Sequence, residues 1–338
     1  MSKALRLGIL GAGAPGKAVA AAAGAAGWKL AVVADAIPER RANLTRGTDA
    51  VEEADALRAA CDPTLDAVAI CLPTHLHAPA ALAALKAGKH VLIELPPAPG
   101  VKDARAIAKA AEKAGKVCLY SVVRRFGAAE QSARQAIDKG YTGAIYHARA
   151  AWLRTRGVPR GTGWYADPAL AGGGALIDLG LPLCDLVLSL AGGAGVRSVF
   201  ATGHGNTSGI DVEEAGTIVL KLDTGATVEL SVSWALNQPP SQAGMTCRIA
   251  CEQAAIDLYT PSGPMLYRQF DDSGRAKAVT LKQPQTVGHV ALLRHFKNCV
   301  LGKEQPVSGP ADGVRMMTLM EGVYKSLYSG KTVLLGGA

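Results

Sequence analysis

Aromatic side chains are scarce in this chain, at 5% of 338 residues, with only 4 tryptophans and 4 phenylalanines. Positive charge never gathers into a long run. The densest groups are pairs such as Arg40-Arg41 and Arg124-Arg125, with no aromatics interleaved. That argues against a nucleic-acid partner. No uninterrupted apolar run reaches about 18 residues, so no membrane span is expected. A charged leader, apolar segment and cleavage site are not found ahead of the first strand, so no signal peptide is expected. The 7 cysteines are odd in number, and none shows metal-ligand or redox spacing. Cys247 and Cys251 lie in an apolar stretch that reads as core. Free thiols fit a reducing cytoplasm, and no metal site is expected.

Hydrophobic residues make up 49% and charged residues 19% of the chain, enough apolar material for a sizeable core. Abundant alanine and glycine suit close packing of helices on a sheet. The length predicts two domains, which we place at 1–123 and 124–338, with the C-terminal helix expected to pack back on the first. A net charge of +8, spread along the chain, favours anionic small molecules as partners.

Short apolar runs at Leu5–Leu10, Leu30–Ala34, Ala67–Leu72, His90–Ile93 and Val117–Val122 read as strands. Ala-rich helical stretches near Lys17–Ala26, Ala78–Ala87 and Val101–Ala114 lie between them. This alternation predicts a doubly wound parallel sheet. Beyond residue 123 the pattern changes. A helix over Ala128–Lys139 and a strand over Ile145–Leu153 precede a Gly-rich segment, Gly161 to Gly174, and a helical stretch to Leu190. Strands follow at Val196–Thr202, Gly216–Leu222, Ala226–Trp234, Met245–Cys251 and Ala255–Tyr259, with a hairpin turn at Asp223-Thr224-Gly225. Helices return near His289–Val300 and Ala311–Ser329. The fold class expected is α/β, a Rossmann domain followed by an α+β domain with an open, mostly antiparallel sheet.

The first strand runs into Gly11-Ala12-Gly13-Ala14-Pro15-Gly16, a G-x-G-x-x-G between a strand and a helix. In this context the first glycine makes the tight turn. The second lets the backbone approach a pyrophosphate, and the third lets helix and strand pack closely. The helix N-terminus offers N–H groups and a positive dipole end to the phosphates, and Pro15 is compatible with a helix start. Asp35 ends the next strand about 20 residues on, where an acid accepts hydrogen bonds from ribose hydroxyls. Its charge would repel a 2′-phosphate, which favours NAD(H), while Arg40 and Arg41 leave NADP(H) open. The plain alternative is a glycine turn that binds nothing, with Asp35 as a helix cap.

After the strand ending at Leu72 come Pro73-Thr74-His75-Leu76-His77, then Lys89-His90-Val91 and Glu94-Leu95-Pro96. Further on stand Trp164-Tyr165-Ala166-Asp167-Pro168 and Gly172-Gly173-Gly174-Ala175-Leu176-Ile177-Asp178-Leu179-Gly180. In this order they resemble the Gfo/Idh/MocA family of glucose–fructose oxidoreductases and inositol dehydrogenases, whose motifs read P-(T/N)-x-x-H, A-G-K-H-V and E-K-P. The resemblance runs through nearly the whole chain. It implies NAD(P)-dependent hydride transfer at a carbon of a sugar, polyol or sugar acid. It also implies an open sheet used in a homodimer or homotetramer. Matched position by position, Leu72, Pro73, Thr74, His77 and Glu94 would approach the nicotinamide end of the cofactor, and Pro96 would follow a cis peptide. Asp178 would help hold substrate hydroxyls, beside Trp164 and Tyr165. The alternative for His75 and His77 is capping of the helix that starts near Ala78.

Two positions depart from the family. Leu95 stands at its E-K-P lysine, and Pro182 at the histidine of its D-x-G-x-H. Neither can titrate, whereas a positioned acid or base contributes about 10²–10⁴-fold. Pro182 costs about 3 kcal/mol inside a regular helix, so with Gly180 it is expected to delay a helix start. Three readings stay open. Another residue moves the proton, with Tyr165 first, then His77 and Cys184; their plain alternatives are packing on Trp164, helix capping and burial. Or tightly bound NAD serves a lyase, hydratase or epimerase. Or the chain binds ligand without turnover. Arg124 and Arg125 follow the last Rossmann strand and read equally as ligands for an anionic substrate or the cofactor and as surface ion pairs. Arg154, Arg156 and Arg160 read as a loop cluster that would favour an acidic ligand, and Glu213 and Glu214 as a solvated face.

Overall fold

The computed structural model describes residues 4–156, 163–205, 209–268 and 277–336. They divide into two compact units. The first comprises Met1–Val123, Ala169–Gly172 and Thr286–Met317; the second comprises Arg124–Pro168, Gly173–Gln285 and Thr318–Ala338. The division after Val123 is where composition changes. The second segment, however, is not continuous to the C-terminus, because Thr286–Met317 belongs with the first unit.

Six strands form the first unit's sheet: β1 (Arg6–Leu10), β2 (Lys29–Ala34), β3 (Val51–Glu53), β4 (Ala67–Ile70), β5 (His90–Ile93) and β6 (Cys118–Tyr120). All neighbours are parallel, in the order β3-β2-β1-β4-β5-β6. Leu7, Ile9, Val68, Ile70, Val91 and Ile93 are fully buried, as expected of strands covered by helices on both faces. The strand order reverses between β1 and β4, and in such sheets ligands bind beyond the carboxyl ends at that reversal. Gly11 follows β1, Asp35 follows β2, and Glu94 follows β5.

Three elements here escape a pattern-based reading. The helix Pro38–Thr45 buries no residue, so it carries no apolar period. The strand β3 is three residues long and faces outward. The helix Ala56–Ala60 is short and is set by its cap, Asp55, whose carboxylate accepts from Leu57 N at 2.8 Å and Arg58 N at 3.3 Å. The later helix Gly288–Val300 packs here through Phe296, whose ring stacks on Trp28 at 5.3 Å, and Trp28 Nε1 donates to the Leu293 carbonyl at 2.9 Å.

The second unit carries a nine-stranded sheet: β7 (Ile145–Thr155), β8 (Val196–Gly205), β9 (Glu213–Leu222), β10 (Thr227–Leu236), β11 (Gly244–Cys251), β12 (Ala254–Asp257), β13 (Met265–Arg268), β14 (Lys277–Thr280) and β15 (Val333–Leu334). The order is β14-β13-β12-β11-β7-β10-β9-β8-β15. Only β7 and β10 run parallel; every other pair is antiparallel. The β9–β10 hairpin closes at Gly225, whose φ of +90° excludes most side chains.

Helices cover one face of this sheet. The helix Leu181–Leu190 buries Leu181, Leu183, Leu186, Val187 and Leu190, and Ala148, Leu220 and Leu230 of the sheet are buried too. Each such leucine contributes about 1.5–3 kcal/mol by leaving water. The stretch Pro168–Leu190 is long and apolar enough to cross a membrane by length and composition. Yet 78% of its apolar window is buried within the protein, the situation of a core helix.

Candidate functional site

In the first unit the three glycines divide their work as the motif requires. Gly11 has φ +97°, and a Cβ there would lie 2.4 Å from the Cys71 carbonyl oxygen. At Gly16 a Cβ would lie 2.0 Å from the Gly11 oxygen and 3.3 Å from Ile9, so only glycine lets helix and strand meet. Gly13 is different: its Cβ would meet nothing nearer than Pro15 Cδ at 4.0 Å. Packing does not demand this glycine; an approaching ligand does. The helix Ala14–Ala23 begins there with no side-chain cap, and Ala14 and Pro15 are exposed. Its first N–H groups are therefore open to an anion. These residues fit the diphosphate of a dinucleotide.

Asp35 is 9% exposed and braces this turn. Its Oδ2 accepts from Ala12 N at 2.8 Å and its Oδ1 from Ile37 N at 2.9 Å. A carboxylate has about four acceptor positions, so two remain for ribose hydroxyls. Arg40 lies 3.9 Å from Asp35 Oδ2 and is half exposed. Arg41 is turned inward: its Nη1 donates to the Asp35 carbonyl at 2.5 Å.

Beyond β4, residues Thr74–Leu76 make a 3₁₀ turn after Leu72 and Pro73, and the helix His77–Lys86 follows. His77 is 1% exposed. Its Nε2 lies 2.8 Å from the Leu72 carbonyl and its Nδ1 3.0 Å from the Pro96 carbonyl. Burial holds its pKa below the usual imidazole value. Both ring nitrogens are turned onto backbone carbonyl oxygens inside the protein, so neither faces a substrate proton. The proton-transfer reading of His77 is therefore corrected: it ties the ends of β4 and β5 together and positions them. Glu94 accepts from Ser121 Oγ at 2.8 Å, and burial pushes its carboxyl up to about 7. The Leu95–Pro96 peptide is cis.

In the second unit, Trp152 and Arg154 project from β7 and Trp234 from the parallel neighbour β10, with Val232 in register with Trp152. Tyr165 stands on a short turn, Gly163–Ala166. Arg154, Tyr165 and Trp234 meet Asp178. Its Oδ1 accepts from Tyr165 Oη at 2.6 Å, and its Oδ2 from Trp234 Nε1 at 3.0 Å and Arg154 Nη1 at 3.3 Å. Trp164 packs on Tyr165 with ring centroids 4.5 Å apart, and Tyr165 on Trp234 at 5.8 Å. Thus one tryptophan, Trp234, bonds the carboxylate directly, and a second, Trp164, packs on the tyrosine that does.

Asp178 lies in a π turn, Leu176–Gly180, and the regular helix begins only at Leu181. Pro182 falls in that helix's first turn, where a proline is tolerated, and it offers no N–H to the Asp178 carbonyl four residues back. The entry to this turn is held by Glu213. Its Oε1 accepts from Gly174 N at 3.0 Å, Leu176 N at 2.9 Å and Tyr324 Oη at 2.9 Å. A Cβ at Gly174 would lie 2.1 Å from the Glu213 carbonyl oxygen.

Several expectations need correction here. Glu213 and Glu214 are 9% and 3% exposed, not a solvated face. Burial raises the Glu213 carboxyl above its ordinary range, and three donors keep it in place. Tyr165 is not primed as a base, because burial and the Asp178 charge push its pKa up rather than down. Cys184 is fully buried, with its thiol pushed up to about 12. Arg125 forks onto buried Asp185 at 2.9 and 2.5 Å, an internal ion pair rather than a surface one. Arg154 belongs to β7, not to a loop, and Arg156 donates to Asn237 at 2.8 Å. Arg160 lies outside the described residues. Sequence reasoning missed Trp152, Trp234 and Ser121. The signal for the first two was available: tryptophans near strand ends in a chain with so few.

Residues 5–122 match the oxidoreductase family with an NAD-binding Rossmann fold, and residues 131–257 match the GFO/IDH/MocA C-terminal domain. D-glucoside 3-dehydrogenase of Escherichia coli is 30% identical over 80% of this chain and 79% of its own length. The NAD(+)-dependent scyllo-inositol 2-dehydrogenase of Bacillus subtilis is 29% identical over 91% of this chain and 89% of its own. Among solved structures, GenD2 from gentamicin A biosynthesis, in complex with NAD, superposes with a TM-score of 0.85 at 24% identity, covering 100% of this chain and 98% of that one. That likeness speaks to the fold alone.

Proposed function

The chain belongs to the Gfo/Idh/MocA family of NAD(P)-dependent oxidoreductases, and on that premise we propose that it oxidises a secondary alcohol of a sugar-like or polyol-like substrate. The observation that carries this reading is the Asp178 carboxylate held by the aromatic side chains of Tyr165 and Trp234. Aromatic faces are well suited to the apolar side of a sugar ring. Two oxygens with about four acceptor positions meet three donors, so Oδ1 keeps one position for a substrate hydroxyl.

A dinucleotide whose diphosphate is held by the Gly11–Gly16 turn would supply the hydride acceptor. The chain's own part is to place the carbinol and take its hydroxyl proton. With Leu95 and Pro182 at the family's lysine and histidine positions, we assign that proton to Asp178. Tyr165 stays protonated and fixes the carboxylate, while its oxygen can accept from a second hydroxyl. Asp35 supports a preference for NAD(H), since a carboxylate at the end of β2 opposes a 2′-phosphate. Arg40 beside it is the group that would let NADP(H) bind.

Assembly as a homodimer or homotetramer in the cytoplasm completes the proposal. It is supported by the sheet face opposite the helices, where Phe200, Arg149 and Arg248 stand exposed. Light scattering on the purified chain tests it, and a monomer at micromolar concentration would refute it.

The activity is tested by incubating the chain with NAD⁺ or NADP⁺ and a panel of sugars, polyols and sugar acids while following nicotinamide absorbance. Steady reduction supports the proposal. Substrate turnover without net absorbance change would point instead to a lyase, hydratase or epimerase.

A further inference from the structure

The Asp178 cluster continues past Arg154. The guanidinium of Arg154 lies 4.9 Å from the centroid of the Trp152 ring, and that of Arg124 lies 4.6 Å from the same centroid. Asp178, Arg154, Trp152 and Arg124 therefore form one chain of contacts within the second unit. Arg154 spends one N–H on Asp178. Among the described residues the Arg124 side chain makes neither an ion pair nor a hydrogen bond, although it is partly buried. The buried carboxylate of Glu130 does not pair with it; that group accepts from Tyr259 Oη at 2.6 Å.

Two guanidiniums held over one indole repel each other, and the ring's negative face offsets only part of that cost. The Trp152 ring covers the Arg124 guanidinium on one side, and its N–H donors have no hydrogen-bond partner among the described residues. The planar fork of a guanidinium matches a carboxylate bidentately. The neighbouring tryptophans and Asp178 suit the polyhydroxylated remainder of the same molecule.

We propose that the substrate is a sugar acid whose carboxylate is received by Arg124 on its Trp152 platform while its reacting hydroxyl is held by Asp178. This rests on the sugar- or polyol-oxidising reading above. A carboxylate and a phosphate ester share the anionic chemistry that a guanidinium recognises. The single fork, with Arg154 already engaged by Asp178, favours the singly charged carboxylate.

The test compares glucuronate, gluconate, glucose and the phosphate ester of glucose as substrates for the full chain with NAD⁺. Each is also titrated calorimetrically, against wild type and Arg124→Gln. Thermal melting of the variant verifies that it folds, and Arg124→Lys keeps the charge but not the fork. The inference predicts a higher kcat/KM for an acid than for glucose. It further predicts that the acid-over-neutral preference falls about 10- to 100-fold in Arg124→Gln, chiefly through KM, with partial recovery in Arg124→Lys. Equal use of acid and neutral sugars, or a preference that survives Arg124→Gln, would overturn it while leaving polyol oxidation standing. A preference for the phosphate ester would overturn the carboxylate assignment. Saturable, Arg124-dependent binding of an acid with no nicotinamide reduction would uphold the inference and sink the oxidation reading instead.

Discussion

The hydroxyl of Tyr165 donates to Oδ1 of Asp178 at 2.6 Å, and the same carboxylate's other oxygen takes Trp234 and Arg154. The phenol is thereby committed as a donor, and its pKa is driven upward by burial and by the carboxylate it serves. Tyr165→Phe keeps the ring against Trp164 and Trp234 but frees Asp178. We expect kcat/KM to fall about 10- to 100-fold, with the pH–rate profile keeping its shape. Loss of one limb of that profile in Tyr165→Phe would show the tyrosine itself to be the titrating base.

Glu94 carries a pH signature of its own. Its folded pKa of about 7 lies above the ordinary 4.5 because burial disfavours its charge. Between those values the folded chain keeps a proton that the unfolded chain releases, so stability falls as pH rises through that window and levels off above it. Glu94→Gln retains an acceptor for Ser121 and removes the charge. Relative to wild type, the variant should gain up to about 3 kcal/mol at about pH 8 and little at about pH 4, read from urea unfolding at both. An equal effect at the two pH values would contradict this origin.

Glu213 should prove a structural acid. Its Oε1 holds Gly174 N, Leu176 N and Tyr324 Oη. Glu213→Ala leaves three donors unpaired, at about 1–3 kcal/mol each. A loss of at least about 3 kcal/mol in the second unit is expected by hydrogen exchange or calorimetry, larger than for Glu213→Gln. A melting curve indistinguishable from wild type would refute the role.

We expect Asp35 to govern the cofactor preference. In Asp35→Asn the negative charge at the end of β2 is gone while Arg40 remains. Calorimetry should find the NAD(H)-over-NADP(H) ratio reduced about 10-fold or more, with the change lying mostly in tighter NADP(H) binding. A ratio that does not move would mean that Asp35 serves only Ala12 and Ile37.

Much of this is legible in the sequence alone. The turn Gly11–Gly16, Asp35 and the Glu94-Leu95-Pro96 segment sit at strand ends, where local spacing and a preceding apolar run identify them. The second unit's cluster was legible only in part, because it is assembled from residues far apart in the chain. Trp234 is 56 residues from Asp178, and Glu213 is 39 from Gly174. A pair Glu213-Glu214 at the start of a strand looks solvated until the glycines that pack on it are seen. The helix Pro38–Thr45, with no buried face, has no period to read. The proline at position 182 was visible as a departure, but not its accommodation after a π turn.

The most direct test of the account is the steady-state rate of NAD⁺ reduction by Asp178→Asn against wild type, on whichever sugar, polyol or sugar acid the wild type oxidises. The variant keeps the shape of the side chain and loses its capacity to take a proton. The account predicts a fall in kcat of about 10²–10⁴-fold, with NAD(H) binding by calorimetry retained. A variant that oxidises the substrate at close to the wild-type rate would contradict it, and would place the proton acceptor elsewhere in the chain.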